Sequence, residues 1–309
     1  MKIRELASGL QFPEGPVAMD DGSVLLVEIA RGTLSRVTPD GRVQVVARFG
    51  GGPNGAAIGP DGAVYVCNNG GFEYTTEADG CFRPTGQARD YDGGRIERVD
   101  LVTGRFERLF DAVDGLPLRG PNDIVFAADG GFYFTDLGKS RALDMDHGGV
   151  FHAPAGGGTP RVIARPALTP NGVALSPDGR TLYYAETAGA RLWAFDLDAS
   201  GQVRKHAWPS PHGGRVLAAS PGGKLQRFDS MAVDAFGNVH VATLLHGGIT
   251  IVAPDGARWH HVPLPDRFVT NLCFGGRDLR TVYITLSGSG RLIAIDGWPT
   301  PGLRLAFNA

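Results

Sequence analysis

Short apolar stretches, each opened by a residue with a side-chain oxygen, recur six times along the chain. The six opening residues, called the heads below, are Glu14, Asn54, Asn122, Asn171, Asp229 and Asn271. Each head is followed by an apolar strand pattern, a tight turn and a second strand of alternating β-branched and aromatic residues, as in TVYITLS. Asp-Gly pairs in turns such as PDG tolerate the positive φ that tight hairpins need. The pattern therefore predicts repeated β-hairpins and almost no helix.

Two further strand segments complete each repeat. In the fourth repeat the predicted strands are PNGVALS, TLYYAET, ARLWAFDL and a short segment around VRKHAW. Units of four antiparallel strands cannot bury both faces alone, and stacking them radially removes most exposed edges. The sequence therefore predicts an all-β fold, a six-bladed β-propeller with a central channel, in which residues 1–309 form a single domain. Both termini carry a strand pattern, IRELA and LRLAF, so the segment that closes the last blade stays open.

The predicted topology places the heads and the long connections on the same rim of the propeller. The turns between first and second strands are all short and lie on the opposite rim, which is expected to be plain. The long connections are residues 70–92, 111–121, 137–148 and 209–228. The first of them is rich in aromatic residues, namely Phe72, Tyr74, Phe82 and Tyr91. It is expected either to form a partial lid over the channel or to pack on the adjoining blade.

The composition and the net charge limit which kinds of binding partner are expected. A net charge of −2 with interspersed signs offers no basic field, so nucleic acid is not an expected partner. The N-terminal residues MKIRELASGL do not resemble a signal peptide, and no apolar run approaches the ~20 residues of a membrane span. A cytoplasmic protein without membrane contact is therefore expected, while the oligomeric state stays unknown. Three scattered cysteines predict neither a disulfide framework nor a metal knuckle.

The heads supply oxygen ligands of the kind that bind a hard cation. In a closed ring of repeats the six heads lie at equal radius and face one axis. Glu14 and Asp229 are anionic, while Asn171 and either Asn122 or Asn54 add amide oxygens. Such a set suits Ca²⁺, Mg²⁺ or Mn²⁺ better than Zn²⁺, which usually binds His or Cys. One divalent metal ion is predicted, with Ca²⁺ preferred and Mn²⁺, Mg²⁺, Zn²⁺ or Fe as alternatives.

Four segments resemble the SMP-30/gluconolactonase/luciferin-regenerating-enzyme-like family of six-bladed propellers, and the likeness spans nearly the whole chain. They are FPEGPV, PNDI with the following DGGFYFTD, PNGVALSPDGRTLYYAET and DSMAVDAFGNVHVAT. In that family one divalent ion in the channel is held by Glu, Asn and Asp heads, and members hydrolyse sugar lactones. The resemblance implies Glu14, Asn171 and Asp229 as metal ligands. It implies Asn122 as a substrate contact that completes the metal shell in some relatives.

One departure from the family pattern is visible at the fifth head. The family usually reads PDG there, whereas this chain has Phe228, Asp229 and Ser230. The ligand is kept while a glycine has become serine. Around the mouth, three further residues are candidates for substrate binding. They are Arg119, just before PND, His246, after the fifth second strand, and Asn54 in the channel.

The implied reaction is hydrolysis of a small lactone, of the sugar aldonolactone type, to its hydroxy acid. The cation would polarise the carbonyl and stabilise the oxyanion. Asp229 is the predicted general base, because a carboxylate touching both metal and water can deprotonate the nucleophile. A nucleophilic carboxylate is the rival role for the same residue. The chain has no GxSxG motif, so a serine hydrolase is not expected.

Two other functions remain open at this point. One is a phosphotriesterase of the diisopropyl-fluorophosphatase kind, whose propeller resembles this family and uses similar oxygen heads. The other is a propeller that binds a metabolite, peptide or protein without chemistry. Against the second stand Glu14 and Asp229, because two carboxylates that face one channel repel unless a cation or a proton lies between them.

Overall fold

The computed structural model describes residues 2–220 and 225–308, and over these residues the chain forms six sheets arranged as the blades of a propeller. From the channel outward, blade 1 has strands Pro13–Ala18, Val24–Glu28, Thr33–Val37 and Val43–Arg48. Blade 2 has Pro53–Ile58, Val64–Asn68, Arg95–Val99 and Phe106–Phe110. Blade 3 has Pro121–Phe126, Phe132–Asp136, Gly148–Ala153 and Arg161–Ala167. The six-bladed β-propeller predicted from the repeats is confirmed.

The second half of the chain repeats this order. Blade 4 has Pro170–Leu175, Thr181–Glu186 and Arg191–Leu197, with Val203–Arg204 and Arg215–Ala219 outside them. Blade 5 has Arg227–Val233, Val239–Leu244, Gly248–Val252 and Trp259–Pro263. Blade 6 has Val269–Gly275, Thr281–Leu286, Arg291–Asp296 and Lys2–Ala7. Three small elements lie outside the blades, namely the hairpin Phe72–Thr76 with Phe82–Gln87, the hairpin Ala112–Val113 with Leu116–Pro117, and the 3-10 turn Ala155–Gly157.

The N-terminal strand closes the ring. Lys2–Ala7 pairs antiparallel with Arg291–Asp296 and so becomes the outer strand of blade 6. The innermost strands contact one another in ring order, and the strand of blade 1 contacts that of blade 6. The outer strand of blade 4 differs from the prediction around VRKHAW. Only Val203–Arg204 pairs there, and Arg215–Ala219 pairs with the rest of the third strand.

The core consists of apolar clusters between adjacent blades. Side chains alternate along a strand, so a strand with both faces covered sends one set to each neighbouring blade. In blade 3, Phe132 and Phe134 pack against blade 2, whereas Tyr133 packs against blade 4. All five residues of this strand are buried. Each blade is therefore stabilised by both of its neighbours, which favours a closed ring over separate sheets.

The C-terminal segment lies across the rim opposite to the heads. Leu303 N donates to Val233 O of blade 5 at 2.9 Å, and the ring of Phe307 lies 5.8 Å from that of Phe126 in blade 3. A cavity of about 680 Å³ lies between this segment and the innermost strands. The expectation of a plain rim is therefore corrected. The turns there are short, but residues 303–308 lie across this end of the channel.

Within the described part of the chain, no helix is long and apolar enough to cross a membrane.

Candidate active site

Every head lies next to an irregularity in its innermost strand. The pairing with the second strand shifts register between Glu14 and Val17, Pro53 and Ala56, Pro121 and Ile124, Pro170 and Val173, Phe228 and Met231, and Val269 and Asn271. A bulge takes a side chain out of the regular ladder and re-aims it. The heads are buried, with relative exposures between 3% and 7%. The repeat thus builds a set of polar side chains at one end of the channel.

The backbone before two heads is strained. Phe12 and Thr169 have φ angles of 56° and 40°, and each lies two residues before a predicted metal ligand, Glu14 and Asn171. Non-glycine residues rarely adopt this left-handed region, and such strain is concentrated at functional sites.

Adjacent innermost strands approach closely at the residue after the head. A Cβ atom on Gly172 would lie 2.7 Å from the Cα atom of Ser230, and one on Gly15 would lie 2.7 Å from the carbonyl oxygen of Asn54. The Asn171-Gly172 pair therefore lies in a strand and not in a β-turn. Glycine is needed there because a side chain would separate the two blades.

Glu14 is held by two donors. Its Oε2 atom accepts hydrogen bonds from Gly15 N and from Asn271 Nδ2, both at 2.6 Å. Burial raises the pKa of Glu14 well above its usual value, and the nearby Asp229 carboxylate raises it further. Asn271 was expected only as one of the six heads, and the structure shows it to be the hydrogen-bond partner of a predicted metal ligand.

Asp229, Asn171 and Ser230 form the opposite side of the site. Burial raises the pKa of Asp229 to about 8, while a hydrogen bond from the Asn171 side chain acts in the other direction. The Ser230 hydroxyl lies 3.4 Å from Asn171 Oδ1, to which it donates, and it lies close enough to Asp123 to lower the pKa of that carboxyl group. The serine that replaces the usual glycine therefore ties the fourth and fifth heads to blade 3.

Asp123 is a site residue that the sequence reasoning missed. It follows the head Asn122 and is buried, and its Oδ1 and Oδ2 atoms accept from Ile124 N at 2.9 Å and Val173 N at 3.2 Å. Burial raises its pKa to about 7, and its charge raises the pKa of both Glu14 and Asp229. The available signal was the acidic residue after the head, where blades 1, 2 and 4 have glycine.

The residues present fit a bound divalent cation. In the described ranges, none of Glu14, Asp123 and Asp229 forms an ion pair with a basic side chain, so only protons or a bound cation can offset their mutual repulsion. Asn122 Oδ1 is buried and has no hydrogen-bond partner among the described residues. No three acidic, His or Cys side chains of the described chain form a metal-binding group by themselves. Amide oxygens, of the kind that the Asn heads carry, are therefore needed to complete any ligand set.

The remaining predicted residues are more dispersed. Asn54 is buried in the channel. Arg119 is exposed beside the loop that leads to Asn122, and its carbonyl oxygen accepts from Tyr91 at 2.7 Å. His246 stacks on His261 with ring centroids 4.3 Å apart, and it lines a side cleft. The structure does not bring Arg119 or His246 into contact with the carboxylates, and their roles in substrate binding stay predictions.

A model of the SMP-30/Gluconolactonase/LRE-like region matches residues 12–288. The chain belongs to the SMP-30/Gluconolactonase/LRE-like family. A gluconolactonase from Zymomonas mobilis subsp. mobilis is 29% identical over a 313-residue alignment. The alignment covers 92% of this chain and 79% of the relative. The resemblance inferred from the sequence motifs is thereby confirmed.

Solved structures of SMP-30/Gluconolactonase/LRE-like proteins share the fold. A gluconolactonase from Xanthomonas campestris has a TM-score of 0.73 at 22% identity, covering 97% of this chain and 89% of the other. A calcium-binding protein, regucalcin, from Agrobacterium tumefaciens has a TM-score of 0.74 at 20% identity and covers 98% of both chains. These likenesses show the architecture, whereas the chemistry depends on the side chains of this chain.

Proposed function

We propose that this chain hydrolyses a small lactone of the sugar aldonolactone type to its hydroxy acid, with a divalent cation as cofactor. The observation that carries the proposal is that buried carboxylates, which have no basic ion-pair partner among the described residues, converge at the head end of the channel. The name of the Zymomonas mobilis relative supports the reaction.

Glu14, Asn171 and Asp229 would hold the ion, with Asn122 as a fourth oxygen or a contact to substrate. When bound, a divalent ion supplies Lewis-acid polarisation of the lactone carbonyl. The choice of ion rests on the all-oxygen donors, which favour Ca²⁺, Mg²⁺ or Mn²⁺. The regucalcin neighbour is named as calcium-binding, but at 20% identity it supports the fold alone.

Asp229 is the proposed general base. Its carboxylate is buried at the proposed cation site, where it can orient a water molecule and accept a proton from it. Asn171 and Ser230 N hydrogen-bond its carboxylate, which fixes its orientation. The rival role is a nucleophilic carboxylate. Label found on Asp229 after a single turnover in ¹⁸O-labelled water would identify the rival, because base catalysis puts the label only in the product.

The test of the function is a substrate panel on protein whose divalent ion has been removed and then restored. D-Glucono-δ-lactone, δ-valerolactone and a dialkyl fluorophosphate are compared by kcat/KM. The proposal predicts lactone hydrolysis that disappears with the ion and returns with it. A phosphotriester turned over far faster than any lactone contradicts the choice of substrate class, and ion-independent lactone hydrolysis contradicts the cofactor.

A further inference from the structure

A hairpin inserted in blade 2 spans the head rim. Its strands Phe72–Thr76 and Phe82–Gln87 leave the second strand of blade 2, and its far end reaches blade 6. There Phe82 N donates to Gly288 O at 2.8 Å, and Asp79 pairs with Arg267 at 2.7 Å. Blade 1 lies between blades 2 and 6, so the hairpin passes over the entrance to the innermost strand of blade 1. This hairpin is called the roof below.

The side chain of Tyr74, a residue of the roof, packs among aromatic rings. Its ring stacks on Phe82 with centroids 4.6 Å apart and an angle of 13°. Phe12 contacts it from below at 5.5 Å, and Phe72 contacts it edge-on at 6.4 Å. Phe12 is the strained residue two positions before Glu14. The backbone that presents Glu14 to the channel therefore also supports the Tyr74 ring, and the position of the phenol is fixed before any ligand binds.

The Tyr74 hydroxyl has no hydrogen-bond partner among the described residues, although it is buried. Leaving such a group unpaired costs stability, so an unpaired hydroxyl at a site implies a partner that comes from outside the chain. Burial raises the pKa of Tyr74, and the Glu14 carboxylate raises it further. The phenol therefore stays protonated and can donate a hydrogen bond next to the carboxylates.

A second unpaired atom at the site needs the opposite kind of partner. Asn122 Oδ1 is buried and accepts no hydrogen bond within the described chain. The Tyr74 hydroxyl requires an acceptor, whereas Asn122 Oδ1 requires a donor or a cation. An unsubstituted lactone ring offers only acceptors. A ring that carries hydroxyl groups offers both, so a polyhydroxy ligand satisfies the site more completely.

We propose that Tyr74 is a specificity-determining residue whose hydroxyl donates a hydrogen bond to a ring hydroxyl group of the substrate. This inference rests on the proposed lactone hydrolysis and names the residue by which the chain would distinguish hydroxylated lactone rings from bare ones. In this arrangement the roof recognises the ring hydroxyl groups of the substrate, while the heads bind the cation and the reacting carbonyl group.

The experiment compares the wild-type chain with Tyr74→Phe, which keeps the ring and removes the hydroxyl. We expect kcat/KM for D-glucono-δ-lactone to fall about three- to tenfold, and that for δ-valerolactone to change less than twofold. Because the lost hydroxyl has no partner in the free protein, the melting temperature should stay the same or rise. The matched control is Tyr65→Phe, whose hydroxyl donates to Asp61 at 3.3 Å on the opposite rim. It should leave both kcat/KM values unchanged.

Binding of inert analogues separates this inference from the proposed function. Glucono-δ-lactam and δ-valerolactam replace the ester by an amide and are titrated by calorimetry with both proteins. A three- to tenfold weaker binding of glucono-δ-lactam to Tyr74→Phe supports the role of Tyr74 even if no lactone is hydrolysed. Equal losses for the hydroxylated and the bare ring, no loss for either, or no binding of glucono-δ-lactam by the wild-type chain overturns it.

Discussion

The hydrogen bond between Asn271 and Glu14 gives the sharpest quantitative prediction for the cation site. Asn271 Nδ2 lies 2.6 Å from Glu14 Oε2, and both side chains are buried. The variant Asn271→Leu removes the donor at nearly constant volume. Glu14 then keeps only its bond from Gly15 N, and its pKa should rise further, because the bond from Asn271 lowers it.

The size of the effect follows from the charge on the acceptor. A buried hydrogen bond to an ionised group contributes about 1.5–3 kcal/mol, and about 1.4 kcal/mol corresponds to a factor of ten. Affinity for the divalent ion should therefore fall about 10- to 100-fold, the range found when partners of metal ligands are removed. Leu272 N also loses its acceptor, Asn271 Oδ1, so some loss of folding stability is expected as well.

Calorimetric titration of chelator-treated protein with Ca²⁺ or Mn²⁺ measures this affinity. Circular dichroism and the melting temperature establish that the variant is folded. Asn238→Leu is the matched control, since Asn238 Nδ2 donates to the Asp234 carboxylate at 2.8 Å on the opposite rim, and the ion affinity of this variant should change less than threefold. An Asn271→Leu variant that is folded and binds the ion within twofold of wild type would contradict this prediction. Equal losses in both variants would trace the effect to a general loss of stability.

Further predictions concern the ligands, the pH dependence and the channel floor. Glu14→Gln should lower the affinity for the divalent ion, measured by calorimetry, about 100-fold or more. Asp229→Asn should remain folded and lower kcat about 10²- to 10⁴-fold. Wild-type turnover by ion-bound Asp229→Asn would remove Asp229 from the mechanism. In chelated protein the raised pKa values of Asp123, about 7, and Asp229, about 8, favour the folded state at low pH. Because both groups keep protons that the unfolded chain loses above about pH 4, stability should fall by about 1 kcal/mol or more per unit between about pH 4.5 and 6.5. Urea unfolding should show a smaller slope for Asp123→Asn, and an equal slope argues against this origin. Deleting residues 303–309 should lower the melting temperature and increase binding of a hydrophobic dye, whereas unchanged values mean that the segment does not cover the channel.

Local patterns were enough to predict the blades and the rim that carries the heads. Strand alternation and Asp-Gly turns depend on residues close in sequence, and each innermost strand starts near the predicted head. Closure was harder, because IRELA and LRLAF have similar strand patterns. Only the pairing of Lys2–Ala7 with Arg291–Asp296 distinguishes them. The C-terminal segment is instead held by contacts to blades 5 and 3, which no local pattern encodes.

The site was predicted at the level of ligand types and not of their partners. The repeat aligns the six heads, and the resemblance to the family selects Glu14, Asn171 and Asp229 among them. Asp123 was missed because its closeness to Asp229 depends on how blades 3 and 5 meet in the channel. The position of Tyr74 likewise depends on a hairpin that leaves blade 2 and docks on blade 6, far away in sequence. Such contacts form only when the ring of blades is closed.

The most direct test of metal-assisted lactone hydrolysis is stepwise reconstitution. Protein freed of divalent ions is titrated with one ion, while bound metal per chain and D-glucono-δ-lactone hydrolysis are measured on the same samples. We expect no hydrolysis above the solvent rate at the start, and activity that rises in proportion to occupancy and saturates at one ion per chain. Full activity in the ion-free protein, or saturation of the ion without any gain in hydrolysis, would contradict it.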